Sequence, residues 1–145
     1  MLSWRESAAQ QAQGDFDALV NVSLDAATNF LAKRGEFLPF GVQVGVDDRV
    51  ALFSADPGLG ERPPSIEVLN ALASATRAVR QRLTAVALVS DVTLVDGGDA
   101  VRVQLEHGEG VVIEIVVPYR RRRIGRKVTT EEMSVSEGER RIWVD

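Results

Sequence analysis

The sequence predicts an α+β domain, a single mainly antiparallel sheet of about five or more strands packed by two or three helices, in the order α-α-β-β-α-β-β-β with a weaker strand after them. Three observations predict it. Apolar residues recur at helical spacing between residues 15 and 34, the period changes to two from residue 84, and Gly-, Asp- and Pro-containing turns separate the alternating runs. The length of 145 residues suits one domain over 1–145, and a chain this long buries roughly two-thirds of its unfolded surface. With 45% hydrophobic and 26% charged residues the composition is that of an ordinary globular chain.

Ser3-Trp4-Arg5-Glu6 has the capping-box spacing, which predicts a short polar helix within residues 1–14, separate from the next and broken at Gly14. Asp15 is then the N-cap of a second helix that Gly35 ends. Phe16, Leu19, Val20, Ala27, Phe30 and Leu31 form its apolar stripe, and Lys33 and Arg34 suit the negative end of its dipole. Residues 40–46 and 49–55 read as a hairpin turning at Asp47-Asp48, followed by the loop DPGLGERPPS. Ser65 starts a third helix with Ile66, Leu69, Leu72, Ala73, Thr76 and Val79 on one face. Strands follow at 85–95, 100–107 and 111–119, separated by DGGD and HGEG turns. A weaker strand covers 127–135, and Ile142-Trp143-Val144 ends the sheet.

GEFLPFG, residues 35–41, reads as a joint. Gly35 accepts the left-handed conformation that ends a helix, Pro39 forces Leu38 to extend, and Phe37 and Phe40 pack the bend. Glu36 beside these rings is a candidate acid, but no partner base stands near it in sequence. His107, the single histidine, is a candidate general base. Its setting, Glu106-His107-Gly108-Glu109-Gly110, has hairpin-turn composition, so a turn residue is the better reading. Asp47-Asp48, Asp56 and Asp96-Gly97-Gly98-Asp99 match no calcium-loop spacing and are explained by turn chemistry. Gly58-Leu59-Gly60 lacks the remainder of a phosphate loop, and Pro63-Pro64 removes backbone donors. No catalytic constellation, metal site or cofactor motif emerges. The absence of cysteine excludes disulfides and thiol chemistry and suits a reducing compartment. Without a signal-peptide core in MLSWRESAAQQAQG or an apolar run near the roughly 18 residues of a membrane span, the expectation is a cytoplasmic protein with no membrane partner.

The net charge of −4 divides unevenly: residues 1–119 hold 9 Lys/Arg and 16 Asp/Glu, residues 120–145 hold 8 and 5. Arg120, Arg121, Arg122, Arg123, Arg126 and Lys127 concentrate the positive charge. A two-residue turn at Ile124-Gly125 would set Arg122 opposite Lys127 and Arg123 opposite Arg126, an unfavourable pairing of like charges. Either the loop is wider, or carboxylates such as Glu131, Glu132, Glu137 and Glu139 neutralise the run, or an external anion or acidic partner does. The strands Ala85–Val89 and Val111–Val117 are apolar on both faces, which calls for a cover on each side. The amino-terminal helices can supply it. So can a second subunit, through the outward Val112 and Val116.

GEFLPFG, the SDV of residues 90–92, LEHGEG and PYRRR together resemble a group of small bacterial proteins of unassigned function over roughly residues 35–123, a resemblance that implies no activity. The succession helix, hairpin, helix, three strands is similar to the roadblock and profilin-like architecture, which implies a small dimeric regulator of a nucleotide-hydrolysing partner. Those domains usually finish with a helix, whereas this chain finishes with strands. The expected function is therefore a non-catalytic regulatory or protein-interaction module, forming a homodimer through the sheet or the long helix. Anion or nucleic-acid binding through the arginine run is the alternative, and a small enzyme using Glu36 or His107 ranks last.

Overall fold

The computed structural model describes residues 4–122 and 127–144, with two helices and seven strands in one curled antiparallel sheet, an α+β fold. The expected order of elements holds, with one change at the start. The first helix, α1, runs unbroken from Trp4 to Arg34, through Gly14. Glycine in a helix interior costs about 1 kcal/mol. Ala12, Phe16 and Leu19, all buried on either side of Gly14, outweigh that cost. The separate helix expected over 1–14 is thus the first part of α1, and Asp15 lies inside the helix rather than capping it; Ser3 of the capping box is outside the described residues. Gly35 ends α1 as expected, at φ 80°, with its N–H donating to Leu31 O at 2.8 Å.

The chain then forms β1 (Phe40–Gly45) and β2 (Val50–Phe53), turning through Asp47 and Asp48, and crosses to α2 (Ser65–Ala78). The buried stripe of α2 is Val68, Leu69, Leu72, Ala73 and Thr76, while Ile66 and Val79 face outward. The expected stripe is rotated by part of a turn, because Val68 points inward where Ile66 was assigned. After a 3₁₀ turn at Arg80–Arg82 come β3 (Leu83–Thr93), β4 (Asp99–His107) and β5 (Val112–Arg121). The expected strand over 127–135 divides at 131–133 into β6 (Val128–Thr130) and β7 (Ser134–Glu137), which pair with successive stretches of β5 along its outer edge. The sheet order is β2-β1-β3-β4-β5-β6, with β7 also on β5.

Residues 142–144 form no strand, contrary to expectation. They cross the α2 face of the sheet as a strap, and Ile142 is buried there with Leu72, Val86 and Leu88. Alternation explains the two faces. Odd positions of β3, β4 and β5, such as Ala87, Val103 and Ile115, meet Phe16, Leu19 and Leu31 of α1. Even positions of β3, Val86 and Leu88, meet α2, and the ring of Phe53 lies across Gly41 of β1, where any Cβ would collide with it. The doubly apolar strand β3 is therefore covered on both faces by helices of its own chain. Among the described residues no helix is long and apolar enough to cross a membrane.

Candidate functional site

The residues with the richest chemistry sit side by side at the end of β4. His107 is the last residue of that strand and opens the turn as expected, its O accepting the Gly110 N–H at 2.9 Å, while its side chain, 2% exposed, is a buried anchor. Its Nδ1 accepts the backbone N–H of Glu109 (3.1 Å), which leaves the proton on Nε2 to donate to Asp15 of α1 (2.8 Å). Phe16 presents a ring edge-to-face to it at 6.0 Å. Both ring nitrogens are engaged, Nε2 in holding α1 against the sheet and Nδ1 in holding the turn that follows β4. The adjacent Glu106, 5% exposed, points to the other face. Its Oε1 accepts the backbone N–H groups of Arg141 (2.6 Å) and Ile142 (3.0 Å), and Oε2 accepts that of Trp143 (2.6 Å). Arg80 completes the clamp by donating to Ile142 O (2.9 Å) and Val144 O (2.5 Å). Three consecutive amides on one carboxyl group account for the course of the strap and satisfy a buried polar side chain.

At the other end of the sheet GEFLPFG is a joint, as expected. The rings of Phe30, Phe37 and Phe40 stand 5.5–6.3 Å apart and fill the bend. Glu36 is exposed beside them. Near it Tyr119 donates to Asp91 at 2.6 Å. Burial pushes the Asp91 carboxyl above its usual value, the Tyr119 bond opposes the shift, and the charges of Asp99 and Glu36 add to it. Burial and the same bond push the Tyr119 hydroxyl well up. Glu36 and His107, the two candidate catalytic groups, share no cleft: one follows Gly35 at the end of α1, the other faces Asp15 within the first half of the helix. The aspartates of the turns act as turn residues, with Asp47, Asp56 and Asp96 each accepting a backbone N–H two residues on.

The arginine run is partly absorbed by the fold. Arg120 meets Glu131 at 3.1 Å across the β5–β6 pair. Arg121 lays its guanidinium against Gly35 at the end of α1. The N–H of Arg122 donates to Lys127 O at 2.9 Å, one step beyond the Arg121–Val128 pair, so Arg122 and Lys127 are opposed as the two-residue turn requires. Arg123, Ile124, Gly125 and Arg126 lie outside the described residues. Val112 and Val116, the candidate self-association face, are half-buried on the α2 side of β5. Glu114 between them is tied to Arg102 of β4 at 2.6 Å, and the strap residue Gly138 presses on Val112. That surface is polar and partly roofed, which removes the reason for covering it with a second subunit.

The open apolar surface is on the opposite face. α1 lies over β1, β3 and β4 and packs on β5 through Ile115, Val117 and Tyr119, while β7 and the end of β5 at Ile113 lie beyond it. A groove of ≈ 640 Å³ results, floored by Ile113 and Ile115, walled by Phe16, Asp17 and Val20 of α1 on one side and by Met133 and Val135 on the other. Met133 is 44% and Val135 59% exposed. Register puts them there: Val135 pairs with Ile115 and Glu137 with Ile113, so both point to the α1 side. The reading of the sequence placed Phe16 and Val20 on the apolar stripe of the helix but missed Ile113, Ile115, Met133 and Val135 as a surface. One signal was available. A single helix is about 10 Å across, whereas strands stack about 4.8 Å apart, so one helix cannot roof a sheet this wide. Among the described residues no group of histidine, aspartate and glutamate is arranged to hold a metal ion. Comparison with known protein families, with characterised proteins and with solved structures finds no match to the chain.

Proposed function

We propose that the protein is a non-catalytic interaction module that takes a segment of a partner protein into the groove between α1 and the β5–β7 edge. The observation that carries this reading is the groove itself, apolar in its lining, with Met133 and Val135 exposed along its wall. The polar groups that sequence patterning singles out support it: His107 and Glu106 commit their nitrogens and oxygens to the two ends of the chain, a structural use. A regulatory role, in the manner of the roadblock and profilin-like domains, and residence in the cytoplasm belong to the same proposal.

Replacing Val135 by Asp puts a charge on the groove wall without touching the core, since Val135 is exposed. The tagged wild type is expected to retain a stoichiometric protein partner from its native host, and Val135→Asp to lose it, while a double Arg122→Ala, Lys127→Ala variant keeps it. A partner that Val135→Asp still holds would refute the reading. The opposed Arg122 and Lys127 favour a second reading, an anion held between them. Recovery of nucleic acid that the double alanine variant loses, in place of a protein, would establish that alternative.

A further inference from the structure

Resting on the interaction reading, we infer that the groove accepts an amphipathic helix whose apolar stripe is flanked by lysine or arginine, supplied by a different protein and not by a second copy of this chain. Three features converge on that occupant. First, the uncovered part of the α1 face is a vacant place in a helix layer. α1 fills the layer over β1, β3 and β4 and reaches Ile115 of β5, and a helix lying beside it would set its stripe on Ile113, Met133 and Val135, the usual helix-in-groove arrangement.

Second, the charged residue that lines the groove is acidic, and the nearest arginine, Arg140, is turned to Gly110 O (3.2 Å). Asp17 lines the groove from α1, and Glu137, two residues beyond Val135 on β7 and paired with Ile113, lies on the same face. Among the described residues lining it there is no lysine or arginine. An occupant with basic flanks is attracted and an acidic one repelled, and the effect falls with salt.

Third, a second copy offers no suitable helix among the described side chains. The exposed face of α1 is Gln13, Asp17, Asn21, Asp25 and Asn29, polar and acidic, and its first three residues line the groove itself. The outward face of α2 is Glu67, Asn70, Ser74 and Arg77, with Ile66 its one large apolar residue. Neither has the i, i+3, i+4, i+7 anchors that such a groove takes.

The test uses two labelled peptides of about 18 residues, long enough to become helical on binding, with the same leucine stripe and either lysine or glutamate flanks. Fluorescence anisotropy against the whole protein is expected to show the lysine peptide binding at least about tenfold more tightly at low salt. A double Asp17→Lys, Glu137→Lys variant should reverse the preference, Val135→Asp should abolish binding of both peptides, and Asp25→Lys, outside the groove, should change nothing. Circular dichroism checks that each variant is folded. Equal binding of the two peptides, an unchanged preference in the reversed variant, or reversal by Asp25→Lys would overturn the inference. So would binding of neither peptide. If Val135-dependent capture of a protein partner persists in that last case, the interaction reading stands and only the occupant's chemistry is wrong. Sedimentation showing a dimer that Val135→Asp dissociates would overturn it in favour of a second copy.

Discussion

On the α1 face the sheet is closed by one helix of 31 residues, which meets it almost wholly through apolar side chains and stops short of β7 and the Ile113 end of β5. On the other face a helix of 14 residues shares the work with an irregular strap, and the strap is held by directed hydrogen bonds to Glu106 and from Arg80 as well as by Ile142. Glu106 and His107 are consecutive, so the alternation of a strand sends one to each face, and the last turn of β4 anchors both ends of the chain. The comparison teaches that the two covers fail differently. An apolar contact weakens in proportion to the area lost, whereas a carboxylate that satisfies three amides is all or nothing. It also explains why the groove is on the helical side: a rigid helix spans a fixed width, while a strap follows the surface it is bonded to.

The largest effects are expected where both covers are apolar. Leu19 of α1 and Leu72 of α2 are both fully buried, one on each face. Leu19→Ala and Leu72→Ala should each cost about 2–5 kcal/mol in urea unfolding. A cost at Leu72 far below that at Leu19 would break the comparison by making α2 a peripheral addition instead of half of the core.

Next come the polar anchors. Glu106→Gln keeps the shape but replaces one acceptor by a donor aimed at the strap amides, and about 1–3 kcal/mol should be lost. Hydrogen exchange should quicken at Arg141, Ile142 and Trp143 and stay unchanged in α1. Asp15→Asn retains an oxygen for His107 and gives up only the charge-assisted part of that bond, so a loss of about 1 kcal/mol or less is expected, with faster exchange in α1 and a quiet strap. Faster exchange at both ends in either variant would show that the two anchors act as one.

These anchors also mark the limit of what local patterning reveals. The stripe Phe16, Leu19, Ala27, Leu31, the strands β3, β4 and β5 and the Gly35 stop depend on neighbours within a few residues, and they are legible in the sequence. Glu106 finds its partners 35 to 37 residues away, and His107 finds Asp15 92 residues away, so composition alone suggests a turn for one and nothing for the other. The strap is illegible for the same reason: Ile142, Trp143 and Val144 have the composition of a strand, but the amides of 141–143 are taken by a side chain. The groove depends on which strands α1 happens to roof, a choice made by tertiary packing.

A smaller effect separates the two ends of the sheet by pH. The Asp91 carboxyl is held above its usual value by burial. Below the unfolded-state value both folded and unfolded chains keep the proton, and the residue costs nothing. As pH rises through the higher folded-state value, the burial penalty appears and stability falls. Asp91→Asn preserves an acceptor for the Tyr119 hydroxyl and removes the charge, so it should stabilise the protein at pH 7 by less than about 1 kcal/mol, the gain being modest because the group is only partly buried. The gain should vanish below about pH 4. A gain that grows on acidification would mean that the ionised form is the favoured partner of Tyr119.

Gly14 gives the smallest change and the one opposite in sign. It lies inside α1, exposed, at a backbone conformation open to any residue, and an added Cβ would meet nothing within 4 Å. Its cost to the helix is therefore one of chain entropy in the unfolded state and carries no packing benefit in return. Gly14→Ala should raise stability by about 0.5–1 kcal/mol, with no change in Asp15, which follows it and already bonds to His107. Should Gly14→Ala instead be neutral or destabilising, the glycine would be required for a bend of α1, and the part of the helix before it would then be free to reorient over the groove lined by Ala12 and Phe16.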